Sequence, residues 1–347
     1  MQSNNLVINC RFLTQNITGV QRFAIEIAKQ LRKLYVGNIQ FVSPKYIIHN
    51  DLAKELNVKI IGNKTGHLWE QIDLPRYLKS IESPLLLNLA NTAPLFYKNK
   101  IITVYDLAFY HHPKWFSKKF VLGYNFLIPR ICNNSKHIFT DSEYVKNDIS
   151  RSYNIKNEKI TTIYGSYSEI FKYNSNQKEN LILAVGSIDP RKNLLALISI
   201  FKEIKNVKLM IVGQENKVFS SLGIKNLPDN IVFTGYVDDI ELVNLYNKAS
   251  IFIYPSFFEG FGIPPLEAQA CGTPVICSNT TSLPEVGKDS VVYCDPYDLK
   301  DIREKIELVL NDKTLQNELR QKGFENIKRF SWEDSANKMI KIIEELK

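Results

Sequence analysis

The sequence predicts an α/β protein made of two successive parallel-sheet domains. Three observations carry this: the length, the alternation of short apolar runs with amphipathic stretches, and a restart of that alternation midway. The 347 residues exceed the roughly 100 to 200 typical of one domain. Apolar runs of strand length followed by helical spacing are the pattern of strands joined by crossover helices. With 44% hydrophobic and 23% charged residues, the chain can bury sizeable cores, which excludes a disordered protein.

In order along the chain, Leu6 to Ile8 reads as a strand, followed by a loop and a helix that starts near Gly19. Val20, Phe23, Ile27 and Leu31 recur at helical spacing, and Thr18 with Gln21 forms a capping box. Leu85 to Leu89, Ile101 to Tyr105 and His137 to Thr140 are further strands. Tyr164 to Asn180 is polar and irregular and suits a connection, so the first domain is expected over residues 1–165. Strands resume at Leu181 to Val185, Lys208 to Val212, Ile231 to Thr234, Ile251 to Tyr254 and Pro274 to Cys277. A helical stretch from Leu299 to Lys328 ends at Phe330-Ser331-Trp332, where Ser331 is placed to cap a last helix. The second domain is expected over 166–332.

No apolar run reaches the roughly 18 to 20 residues of a membrane span, and Met1 to Asn5 lack the features of a signal peptide. The five scattered cysteines have no metal-ligand spacing and are expected to be reduced and buried. A cytoplasmic protein is the expectation. Charge divides unevenly: residues 1–165 hold 22 Lys and Arg against 11 Asp and Glu, a net +11, whereas 166–347 hold 22 against 25, a net −3. A basic first half suits an anionic partner such as a membrane surface, a lipid pyrophosphate or nucleic acid. A lysine-rich solvated surface explains the same numbers.

The most informative stretch runs from Tyr254 through Glu259-Gly260-Phe261-Gly262-Ile263-Pro264-Pro265-Leu266-Glu267 to Cys271-Gly272-Thr273-Pro274. A strand ends, a glycine loop follows, and a proline suits the first turn of the next helix. Ligands of open α/β sheets bind beyond the carboxyl ends of strands. There Gly260 and Gly262 permit close backbone approach, helix-start N–H groups bind phosphate or sugar oxygens, and two carboxylates accept hydrogen bonds from vicinal hydroxyls. A solvated loop glutamate and a dipole-favoured helix glutamate form the plainer reading. Arg191-Lys192 follow the strand ending at Val185 and open the next helix. Cations there oppose the helix dipole by about 0.3 to 1 kcal/mol unless an anion such as a diphosphate joins them.

This stretch resembles the nucleotide-sugar signature of glycosyltransferase family 4, whose two glutamates are separated by seven residues. Thr18-Gly19-Val20-Gln21-Arg22, Asn91-Thr92-Ala93-Pro94, Val185-Gly186-Ser187-Ile188-Asp189-Pro190-Arg191-Lys192-Asn193 and Ser282-Leu283-Pro284-Glu285 are similar to its bacterial mannosyltransferase-B-like branch. The resemblance implies a GT-B fold: two Rossmann-like α/β/α domains facing each other across a cleft, with the last helix (333–347) crossing back to the first. It implies a retaining, metal-independent glycosyltransferase without a cofactor that assembles surface glycans such as O-antigen or capsule. Its donor is a nucleotide sugar, GDP-mannose first and UDP- or dTDP-sugars as alternatives.

By the same resemblance Glu259 contacts the donor sugar, Glu267 the ribose hydroxyls, and Arg191 and Lys192 the diphosphate. Gly260, Phe261 and Gly262 line the sugar, Gly19 and Gly186 approach the donor, and Gly235 and Tyr236 lie beside the base. On the acceptor side Tyr105 stands where the family commonly has His, next to Asp106, and His112 is a further candidate. The acceptor implied is a glycan, free or lipid-pyrophosphate-linked, with peripheral contact at an anionic inner membrane and no nucleic acid. A phosphorylase or hydrolase on this scaffold, or a catalytically silent nucleotide-sugar-binding subunit, are the other readings. No aromatic–basic nucleic-acid motif is present.

Overall fold

A computed structural model describes residues 5–174, 177–186, 189–213 and 227–346. The chain divides into two compact units, 1–165 with 331–347, and 166–330. Among the described residues the first unit holds a seven-stranded sheet ordered β3-β2-β1-β4-β5-β6-β7. Its strands are β1 (Asn5–Asn9), β2 (Asn38–Ser43), β3 (Lys59–Ile60), β4 (Leu85–Asn88), β5 (Lys100–Thr103), β6 (His137–Thr140) and β7 (Ile160–Thr162). Every pairing is parallel. The strands were foreseen where they are apolar, and β2, β3 and β7 are additions.

The second unit holds six strands in the order β10-β9-β8-β11-β12-β13, again all parallel. They are β8 (Glu179–Val185), β9 (Lys208–Val212), β10 (Ile231–Gly235), β11 (Ala249–Tyr254), β12 (Val275–Ser278) and β13 (Val292–Cys294). Buried apolar side chains from these strands and their crossover helices cover both sheet faces, the burial that parallel sheets require. In each sheet the order reverses beside the first strand, so the switch points are β1/β4 and β8/β11. Ligand sites of such sheets form at those points.

Helix ends follow the local chemistry. The Gly19–Leu34 helix begins with the Gln21 side-chain carbonyl accepting from the Thr18 N–H at 3.1 Å. The stretch expected as one helix from Leu299 to Lys328 is two, Leu299–Asn311 and Lys313–Ile327. Asp312 separates them because its extended backbone ends the first, while its carboxylate caps the second through the Leu315 N–H at 2.9 Å. Ser331 caps the last helix, Trp332–Glu345, through the Asp334 N–H. This helix lies in the first unit: Trp332 packs edge-on against Phe23 at 5.4 Å, and Lys136 Nζ donates to the Leu346 carbonyl at 2.9 Å. All five cysteines are free and buried. No helix among the described residues is long and apolar enough to cross a membrane.

Candidate active site

At the β8/β11 switch point the carboxyl ends of two adjacent strands bring together residues 67 positions apart. The segment after β8 does not enter its helix directly. Pro190–Lys192 form a 3₁₀ turn, Asn193 takes a left-handed backbone (φ 54°), and the helix proper is Leu194–Phe201. Arg191 and Lys192 therefore sit before the helix, not in its first turn as expected. Each also has a carboxylate partner within the chain. The Asp189 carboxylate accepts from the Arg191 guanidinium at 2.8 and 3.0 Å and from the Arg191 N–H at 2.9 Å. Burial pushes the Asp189 carboxyl up, but the Arg191 hydrogen bonds and charge outweigh it and hold the group below its usual range.

Lys192 reaches across to β11. Its ammonium donates to Glu259 Oε1 at 2.7 Å and to the Tyr254 hydroxyl at 2.6 Å, with the side chains of Lys192 and Glu259 only 18% and 13% exposed. An ammonium has three N–H donors, so one is left over from these two contacts. Burial, then the Glu259 charge, raise the Tyr254 hydroxyl well above its ordinary pKa, so it stays a neutral hydrogen-bonding group. Close approach also constrains Gly186, with φ +156°, where an added Cβ would come within 3.2 Å of the Lys192 stem.

The glycine loop is held from behind. The Ser282 hydroxyl donates to the Glu259 and Phe261 carbonyls at 3.0 Å each, and the Glu259 N–H donates to the Thr281 hydroxyl. The Phe257 N–H donates to the Arg191 carbonyl at 2.7 Å, tying the two loops together. Gly262 has φ +106°, and an added Cβ there would stand 2.7 Å from Leu283 Cδ2; only glycine fits. Its left-handed backbone starts the Ile263–Ala270 helix, with proline in the first turn. One turn along, Glu267 is 7% exposed and accepts from the buried Tyr246 hydroxyl at 3.1 Å. Gly235, at φ +75°, ends β10 and accepts from the Gly213 N–H at 2.9 Å, and Tyr236 beside it is 79% exposed. Ser187 and Ile188 of the sequence motif lie outside the described residues. No group of three or more His, Cys, Asp or Glu that could hold a metal ion occurs among the described residues.

Residues 167–326 match the model of the family described as glycosyl transferases group 1. The O-antigen chain mannosyltransferase RfbU of Salmonella typhimurium is 30% identical over 85% of this chain and 88% of its own length. The chain belongs to this glycosyltransferase family. O-antigen chain mannosyltransferase B of Escherichia coli is 31% identical over 69% of this chain and 68% of its own. Anabaena Alr3699/HepE, solved with UDP and glucose, superposes with a TM-score of 0.75 at 14% identity over 98% of this chain and 99% of its own. The glycosyltransferase thus has the GT-B fold, two Rossmann-like units.

In the first unit the glycosyltransferase departs from expectation. Tyr105 does not present its hydroxyl to a ligand. It is 4% exposed, donates to the Leu89 carbonyl at 2.7 Å, and packs edge-on against Phe23 at 5.2 Å. The ring fills the core, and burial keeps the hydroxyl protonated. Asp106 Oδ1 accepts from the Ala108 N–H at 2.9 Å and so shapes a turn. His112 stacks on Trp115 at 4.0 Å, and burial lowers its pKa. At Gly19 an added Cβ would meet nothing within 4 Å, so internal packing does not require a glycine there.

Sequence reasoning missed the polar cluster at the β1/β4 switch point. Asn9, at the end of β1, donates to Glu70 Oε1 at 3.0 Å and to Asn88 Oδ1 at 2.9 Å. Arg11 donates to Glu70 at 3.3 Å and to the Thr92 hydroxyl at 2.8 Å, and Thr92 donates to Glu70 Oε2 at 2.7 Å. Tyr254, Tyr246 and Ser282 were missed as well: a hydroxyl at a strand or helix end carries no signal until its partner is known. Tyr254 and Ser282 stood inside quoted motifs, but without a role.

Proposed function

We propose that this glycosyltransferase moves a hexosyl group, mannosyl first, from a nucleotide sugar to a hydroxyl of a growing surface glycan, with retention and without a metal. The observation that carries the reading is the Lys192–Glu259–Tyr254 cluster at the β8/β11 switch point, with its two remaining resources: a spare ammonium N–H and the loop that ends in left-handed Gly262. The mannosyl and O-antigen parts of the proposal draw on the names of RfbU and mannosyltransferase B. UDP, held by Alr3699/HepE, is the alternative donor nucleotide.

In this reading Lys192 and Arg191 bind the donor diphosphate and stabilise charge on the departing nucleoside diphosphate. Glu259 trades part of its contact with Lys192 for the donor sugar hydroxyls, and Glu267 receives the ribose hydroxyls. Gly186, Gly235 and Tyr236 border the nucleotide, and Phe261 closes the sugar side. The acceptor hydroxyl attacks the face the diphosphate leaves, and a diphosphate oxygen takes its proton. No carboxylate base is needed. The acceptor is a glycan, free or linked to a lipid pyrophosphate, and the +11 half favours an anionic membrane surface.

A donor panel of GDP-mannose, UDP-glucose and dTDP-sugars, with product linkage read by NMR, tests the proposal. An inverted product overturns the mechanism, and free sugar or sugar phosphate as sole product overturns transfer. Lys192→Ala is expected to weaken nucleoside-diphosphate binding by about tenfold or more, the worth of a charge-assisted hydrogen bond. Unchanged binding by titration calorimetry removes Lys192 from the site.

A further inference from the structure

Along the open edge of β2 in the first sheet, starting where β1 and β2 begin, lies a groove of about 640 Å³. Its size is that of sites for small organic ligands, roughly 300 to 1,000 Å³, but its lining is not the apolar one such sites usually have. Four carboxamides face it, Asn5, Asn38, Gln40 and Asn57, with two cations, Arg32 and Lys59, and the ring of Tyr77. Among the described residues the lining contains no carboxylate. Part of this polarity is prearranged: Tyr77 donates to Gln40 Oε1 at 2.7 Å, Lys59 donates to the Tyr77 hydroxyl at 3.2 Å, and Asn38 donates to Asn5 at 2.7 Å. Arg32 and Asn57 are exposed and have no side-chain partner among the described residues. The edge of β2 is also open here among the described residues, because β3 pairs only with Val42 and Ser43 and leaves Asn38 to Phe41 without a strand on that side.

Carboxamides donate and accept from one planar group, which matches the paired hydroxyls of a sugar, and a tyrosine ring adds an apolar flank. A simple anion site would concentrate cations and helix-start N–H groups instead. We propose that this groove is a second glycan-binding site that holds residues of the acceptor already in the chain. The inference rests on the reading that the protein extends a glycan. The lining follows β2 from Asn38 to Phe41, about 10 Å at the usual strand rise and longer than one sugar ring, so the groove favours long acceptors over short ones.

The test compares the full-length wild type with the triple variant Arg32→Ala/Asn38→Ala/Asn57→Gly. These side chains are exposed, and glycine suits the left-handed backbone at Asn57 (φ 53°), so the fold is retained. Titration calorimetry uses α-linked mannohexaose and, separately, inorganic tripolyphosphate. Mannohexaose is expected to bind the wild type and to lose at least tenfold in affinity in the variant. In transfer assays kcat/KM for mannohexaose falls by a similar factor, while kcat/KM for methyl mannoside is unchanged. Equal mannohexaose affinity in the two proteins overturns the proposal, as does tripolyphosphate binding in place of mannohexaose, or an equal loss on both acceptors. Wild type that binds mannohexaose but transfers to neither acceptor overturns the functional reading, and the groove is then judged by calorimetry alone.

Discussion

Two cation–carboxylate pairs occupy the same topological place in the two units, and they differ in how completely the chain seals them. At β1/β4 the side chains of Arg11 and Glu70 are 9% and 0% exposed, and Asn9, Asn88 and Thr92 complete their hydrogen bonds. At β8/β11 Lys192 and Glu259 are more open, and beside them lies a loop with a left-handed glycine. A buried pair costs desolvation and is stable only when fully hydrogen-bonded. The first cluster meets that condition internally and reads as a brace that joins the two central strands. The second keeps groups in reserve, as the proposed donor site requires. A position at a switch point is therefore weaker evidence of function than the state of the polar atoms found there.

The largest expected effect separates the two pairs by what each mutation damages. Glu70→Ala leaves the Arg11 guanidinium buried without its carboxylate, a loss of about 3 to 5 kcal/mol, read as a fall in the melting temperature of the first unit. Acid should act in the same direction. Although burial pushes it up, the Glu70 carboxyl is held below its ordinary range by His67 and Arg11, so its stabilisation is present above the ordinary carboxylate pKa and is lost as pH falls through the lower folded value. Glu259→Gln keeps the shape of the second pair and is expected to leave melting near wild type while transfer falls by about a hundredfold or more. Should Glu70→Ala melt normally, or Glu259→Gln transfer normally, the contrast between brace and site collapses.

A smaller effect comes from the glycines. Gly262→Ala forces a Cβ onto Leu283 at a backbone angle that disfavours any side chain, a cost of about 1 to 3 kcal/mol. It also shifts the start of the helix that carries Glu267. Gly19→Ala meets no neighbour and should stabilise the first unit by about 0.4 to 1 kcal/mol, while transfer drops if the donor diphosphate approaches that backbone. Chemical denaturation beside a transfer assay sorts the two. A Gly19→Ala protein with full activity removes Gly19 from the donor site.

These contrasts also mark what the sequence makes legible. His137 to Thr140 and Lys208 to Val212 read as strands because every side chain after the first is apolar or β-branched, and both begin and end as foreseen. β2 escapes because Asn38 and Gln40 interrupt its apolar run, and β3 because two residues carry no period. Glu259, Glu267, Arg191 and Lys192 are visible through motif spacing. Their arrangement is not. The pairing of Lys192 with Glu259 spans 67 residues and that of Arg11 with Glu70 spans 59, distances over which no local pattern reports contact. Tyr105, a candidate because it stands where the family commonly has His, is opaque for the same reason: the Leu89 carbonyl that accepts from its hydroxyl lies 16 residues away.

A further effect separates the units by pH. His137 on β6 is held down to about 4 by burial and then by the charges of Lys159 and Lys146, against an ordinary value near 6.5. The unfolded chain takes up a proton there that the folded unit refuses, so the first unit loses stability as pH falls from about 6.5 to 4. Lys178, just before β8, is held down to about 7 by burial and then by Arg320. Its folded form sheds a proton that the unfolded chain keeps, so the second unit gains stability as pH rises from about 7 towards 10. Hydrogen exchange resolved by peptide, at pH 4.5, 7 and 9, should show protection falling on the acid side in residues 5–165 and rising on the alkaline side in residues 227–330. His137→Phe should flatten the first slope and Lys178→Met the second. A single variant that flattens both would mean that the units unfold together, and the contrast drawn between them would hold for their sites but not for their stability.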